Sequence, residues 1–191
     1  MAYNIKDVFY LDVHAHITAS QAGAGTVQLD LSAYIDPIAR GRQKGTGLAV
    51  YKVHWGLMQT SAAGELPTAG ETGVVQSALI AGLGAGNNAT NTYAGITDPE
   101  DLSMSNSLCV ASMPYYGPGA GATGDASGMG KMNYGSPSAE VPYVIVRDNV
   151  CLVYMVEAQF AAASTISCRL EVAQITLDQA TLNQLLRTQT V

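Results

Sequence analysis

Strict two-residue alternation near the start of the chain restricts its fold more than any other feature. Phe9, Leu11, Val13, Ala15, Ile17 and Ala19 alternate with Tyr10, Asp12, His14, His16 and Thr18. Successive side chains of a strand point to opposite faces, so this segment is predicted to be a strand with one face on a core and one polar. A helix would scatter the same apolar residues around its circumference. Gln21 to Gly25 reads as a small-residue turn. Val27, Leu29 and Leu31, alternating with Gln28, Asp30 and Ser32, read as a second strand.

Similar patterns recur along the chain. Asp36-Pro37 opens a connection through Lys44 that Gly45 and Gly47 close, and a third strand is expected from Leu48 to Gln59. Tyr51, Val53, Trp55 and Leu57 would share its inner face, making Trp55 a core residue, with Lys52 and His54 opposite. Val74 to Leu83 is expected to be a fourth strand and Ser107 to Ser112 a short one, with a helix start at Asp98-Pro99-Glu100-Asp101. Residues 113–139, with Tyr115-Tyr116-Gly117-Pro118-Gly119, form a loop too long to be a passive connection.

Pro142 to Val146 and Val150 to Ala158 flank Arg147-Asp148-Asn149 as a hairpin. The second of these strands is apolar on both faces, so it should be buried on both sides, or on one with a subunit contact on the other. Thr165 to Ile175 is expected to turn Ile166, Cys168, Leu170 and Val172 inward and Arg169 and Glu171 outward. Thr176-Leu177-Asp178-Gln179 matches a capping box, opening a short helix with Leu182, Leu185 and Leu186 on one face. Seven or eight strands, long loops and one C-terminal helix point to a single all-β domain over 1–191, a sandwich or jelly roll.

Only 13% of residues are charged, about half the usual share, against 48% apolar. So sparsely charged a surface suits a protein much of whose exterior is covered by partners. The net charge is −6 and the densest basic stretch is Arg40, Arg42 and Lys44, too little to neutralise a genome. Direct nucleic-acid binding is therefore not expected. Cys109, Cys151 and Cys168 lack metal-ligand spacing, and a Cys151–Cys168 disulfide requires their strands to pair. The first residues do not resemble a signal peptide and no apolar run reaches bilayer length, so synthesis in a cytoplasm is expected.

His14 and His16 carry the one motif with chemical appeal, because two His residues two apart on a strand point the same way and can grip one metal ion. Amidohydrolases use a similar His-x-His, but within a longer β/α barrel with further ligands. Cupins use one on a jelly roll but expect a Glu soon after, where this chain has Thr18, Ala19 and Ser20. A cupin-like metal-dependent enzyme would need His54 to converge on His14 and His16. The favoured reading keeps both on the polar face of a strand, with no metal, cofactor or catalytic residue. Gly82 to Gly86 and Gly117 to Gly121 lack the following helix that phosphate loops require. Asn88-Ala89-Thr90 is a glycosylation sequon. A carbohydrate- or ligand-binding sandwich would display Trp55, or Tyr115 and Tyr116, on an exposed platform.

The first strand, then Leu29-Asp30-Leu31-Ser32-Ala33-Tyr34-Ile35-Asp36-Pro37, then Leu48-Ala49-Val50-Tyr51-Lys52-Val53-His54-Trp55, resembles the single-jelly-roll major capsid proteins of tailless icosahedral viruses. These viruses enclose an internal membrane and infect archaea and thermophilic bacteria. The resemblance covers about residues 8 to 58 and contains no diagnostic motif. It implies a non-enzymatic virion subunit that self-assembles into an icosahedral shell, often beside a second related capsid protein, above a viral membrane. Tyr115, Tyr116 and Met155 are the expected subunit-contact residues.

Overall fold

The computed structural model describes residues 7–36, 44–59, 74–81, 108–116, 130–131, 137–158, 160 and 162–189. They form two antiparallel sheets and one short helix, the all-β sandwich the sequence predicts. The first sheet has the order β1 (Val8–Ile17), β9 (Ser164–Asp178), β3 (Lys44–Gln59), β7 (Tyr143–Ile145). The second has the order β2 (Gly23–Asp30), β8 (Asn149–Ala158), β4 (Val74–Ala81), β5 (Cys109–Tyr116), β6 (Gly130–Lys131). Setting aside the two-residue β6, the pairing is nested: β1 with β9, β2 with β8, β3 with β7 and β4 with β5.

Between the sheets lies a core that includes Val13, Ile17, Leu48, Trp55, Leu79, Leu152, Phe160, Ile166 and Leu170. Alternation places these residues: β1 buries Val13, Ala15 and Ile17 while Tyr10, Asp12, His14 and His16 remain exposed. Trp55 is a core residue as expected, and β9 turns Ile166, Cys168, Leu170 and Val172 inward. β1 reaches β2 through a tight corner where Ser20 adopts φ 59° and Gln21 N–H donates to Thr18 O at 3.1 Å.

Several boundaries and pairings differ from expectation. β7 and β8 are not a hairpin; they lie in different sheets, because two-sided apolar β8 takes a central place while short β7 closes an edge. Both faces of β8 are buried within the single chain, the outer one through Cys151 and Val153 packed with Ala78, Ile80, Leu108 and Cys109. β3 begins at Lys44, so Gly45 and Gly47 lie inside a strand rather than closing a loop. A Cβ on Gly45 would lie 2.6 Å from Leu182 Cδ2, so glycine there lets the helix approach.

Register slips between Val50 and Lys52. That bulge turns Tyr51 to the outer face with Ala49 and Ala173, away from Val53, Trp55 and Leu57. β5 runs on through Tyr116, and β6 falls within what reads as one loop over 113–139.

The helix α1 (Gln179–Thr188) is capped by Asp178 and not Thr176, because β9 continues to Asp178. The Asp178 carboxylate accepts from Thr181 N–H at 2.8 Å and from Thr181 Oγ1 at 3.1 Å. Leu182 is fully buried, while Leu185 and Leu186 are half-buried. Just past the helix, the buried Gln189 side chain serves the outer edge of β7. Its Nε2 donates to Val144 O at 2.6 Å, and its Oε1 accepts from Val146 N–H at 3.1 Å. Arg147 Nε donates to Gln189 O at 3.1 Å.

The helix start at Asp98, the sequon at Asn88, the Gly82–Gly86 and Gly117–Gly121 segments, and Arg40 and Arg42 lie outside the described residues. Among the described residues no helix is long and apolar enough to cross a membrane.

Candidate functional site

The outward face of the first sheet gathers all three histidines of the chain. Cross-strand register arranges it in rows: Tyr10–Glu171–Lys52, Asp12–Arg169–His54, His14–Ser167–Gly56 and His16–Thr165–Met58. Each residue is there because inward neighbours such as Val13, Cys168 and Trp55 hold its strand against the core.

Two close pairs of ionisable groups stand on this face. Arg169 donates twice to Asp12, from Nε to Oδ1 at 2.6 Å and from Nη2 to Oδ2 at 3.3 Å. Its guanidinium carbon lies 5.7 Å from the centroid of the Tyr10 ring. The Asp12 carboxylate raises the pKa of Arg169, although both side chains are more than half exposed and solvent screens the pair. Diagonally across the rows, His54 Nε2 lies 2.7 Å from Glu171 Oε1.

Where Gly56 contributes no side chain, the face sinks into an open groove of about 800 Å³ bordered by Tyr10, His14, His54, Ser167 and Arg169. A Cβ on Gly56 would lie 2.5 Å from Ser167 Oγ, so a side chain there would have to turn the serine hydroxyl aside.

The histidines share the face without converging. His14 and His16 rings stand edge to face with centroids 5.3 Å apart, and His16 Nδ1 lies 2.9 Å from Thr165 Oγ1. His54 is a row and two strands from His14 and is held by Glu171. Among the described residues no group of three His, Cys, Asp or Glu side chains is placed to hold a metal ion.

Tyr115 and Tyr116 are in β5 of the second sheet, in register with Val75 and Val74 on one side and Lys131 and Gly130 on the other. Their side chains lie outside the described residues. Met155 is on the outer face of β8, half-buried against Cys151 and Val153 of its own chain. The three expected contact residues thus lie in the second sheet, apart from the histidine face.

All three cysteines are free and buried. β8 and β9 belong to different sheets, Cys151 facing outward and Cys168 inward, which removes the strand pairing a disulfide between them required. Burial pushes the Cys109 and Cys151 thiols up to about 11 and raises Cys168 further, so all three stay protonated at neutral pH.

The alternation of Tyr10, Asp12, His14 and His16 already marks one polar face. The Asp12–Arg169 and His54–Glu171 pairs depend on register between distant strands, which local pattern does not specify. No protein-family model matches the chain, and no curated protein matches it in sequence.

Proposed function

We propose that this chain is a single-jelly-roll structural subunit that assembles with copies of itself into an icosahedral viral shell. The observation that carries the reading is the nested pairing of β1 with β9, β2 with β8, β3 with β7 and β4 with β5, divided between two facing sheets. Two Greek keys wound into a double sheet have this character, and capsid subunits are among the proteins built on that plan. Lectins and cupins share it, so topology alone does not select among them. The low charge content favours a protein whose surface is covered by neighbours. In this reading the subunit is not an enzyme, resides in the virion above an internal membrane, and packs alone or beside a second related coat protein.

Size-exclusion chromatography with light scattering, followed by negative-stain imaging of the leading peak, tests the proposal. Rings, capsomers or shells are the expected result. A protein that stays monomeric, both alone and with a candidate second coat protein, would overturn it. The groove over Gly56 supports a second reading, a sandwich that binds a small polar ligand between Tyr10, His54 and Arg169. Calorimetric titration with mono- and disaccharides would support that reading only if saturable heat disappears when Arg169 is replaced by Ala.

A further inference from the structure

Each sheet has two edge strands, and the four differ in how open they are. β7 is three residues long and plugged by Gln189, and β6 has only two residues. β2 has eight residues, with Asp30 its one charged side chain. β1 has ten, and among the described residues no strand lies beyond it. A long edge of this kind is a template for another strand.

The sequence of β1 is complementary to itself when reversed about Val13. In antiparallel pairing, directly opposed residues share a face, and the pairs are then Asp12 with His14, Tyr10 with His16, Leu11 with Ala15 and Phe9 with Ile17 of the second copy. On the exposed face an acid meets an imidazole twice and an aromatic ring meets an imidazole twice. On the inner face every pair is apolar. A shift of two residues either way sets Asp12 against its own copy or His14 against its own copy. A shift of one residue sets polar positions beside the apolar face. Reversing β2 gives no charge complementarity, because its only charge is Asp30.

From this we infer that β1 pairs antiparallel with β1 of a second copy about a two-fold axis at Val13, joining the two first sheets into one continuous sheet. The contact is isologous, so it closes at a dimer and leaves other surfaces for larger assemblies. On the inner face Phe9 and Leu11 are only half-buried and have surface left to cover, whereas Ala15 and Ile17 are already buried in their own chain.

Cysteine pairing tests the register. Cα atoms more than about 7 Å apart cannot be bridged by a disulfide without backbone movement, so only directly opposed positions should link. Asp12→Cys and His14→Cys chains, co-expressed with different tags and oxidised mildly, should give a mixed disulfide dimer, while neither variant links when expressed alone. Both positions are exposed and the native thiols are buried, so folding and background are controlled. As a second readout, His14→Asp sets two carboxylate pairs against each other and should raise the dimer dissociation constant by about tenfold in sedimentation experiments. Absence of the mixed dimer, or linkage of either variant alone, would overturn the pairing. Shells forming without the mixed link would overturn it and leave the capsid reading intact.

Discussion

The ring of Tyr154 occupies the space that a side chain on Gly25 would need. The two are directly opposed in β2 and β8, and Tyr154 Cζ, Oη and Cε1 crowd the point where a Cβ would stand. Held there, the hydroxyl donates to His16 O at 3.3 Å and accepts from Gln21 Nε2 at 3.1 Å, tying the second sheet to the corner leaving β1.

Replacing Gly25 with Ala should therefore destabilise the fold. An extra methyl in a well-packed site costs about 1–3 kcal/mol, whereas Gly→Ala in an unhindered strand is normally favourable. Urea denaturation of Gly25→Ala should show a lower midpoint with an unchanged slope. A midpoint equal to or above that of the parent would mean that Tyr154 moves aside freely.

Gln189 offers β7 one donor and one acceptor, much as a residue of a neighbouring strand would. Gln189→Ala leaves Val144 O and Val146 N–H without that partner and should cost about 1–3 kcal/mol. It also opens an edge to other chains, so light scattering should report more association on storage. Gln189→Glu keeps the acceptor but sets a buried carboxylate oxygen against Val144 O, and should cost at least as much as Gln189→Ala.

Asp178 caps α1, and its pKa lies below the usual 3.8 because the Thr181 backbone and hydroxyl favour the carboxylate. A carboxyl depressed in the folded state contributes stability above its unfolded pKa and loses it as pH falls through the folded value. The melting temperature of Asp178→Ala should thus lie below that of the parent at neutral pH. The gap should close as the pH drops below about 3.8. A gap that persists in strong acid would assign the effect to packing.

The three buried thiols should be inert in the native state. Cys109 and Cys151 sit near 11 through desolvation, so little thiolate exists at neutral pH to react. A chromogenic disulfide reagent should titrate no thiol until denaturant is added, then three. Fast labelling of one thiol without denaturant would mean that the outer face of β8 opens readily.

Much of this architecture could be read from the residues. The alternation in β1 and β9 is legible because each strand has one wet and one dry face, and burial of Val13, Ile17, Ile166 and Leu170 follows from it. Trp55 is legible as core for the same reason. The β7–β8 separation was hidden, since two strands joined by Arg147-Asp148-Asn149 look locally like a hairpin whichever sheet each joins. The outward turn of Tyr51 is not legible, because a bulge advances the pattern by one residue without altering composition. Of the candidate site, the polar face was legible in β1 alone. The Asp12–Arg169 and His54–Glu171 pairs are set by the register of strands far apart in the chain.

Nested pairing also governs when this protein can fold. Val8 finds its partner in Ala173, so the first strand has nowhere native to pair until the ninth has left the ribosome. At about 5–20 residues per second that wait lasts roughly ten to thirty seconds. Throughout it, an amphipathic strand with two open edges is exposed to every neighbouring nascent chain. Crowded polysomes should therefore lower the soluble yield, and slower initiation, which spaces the chains apart, should restore it.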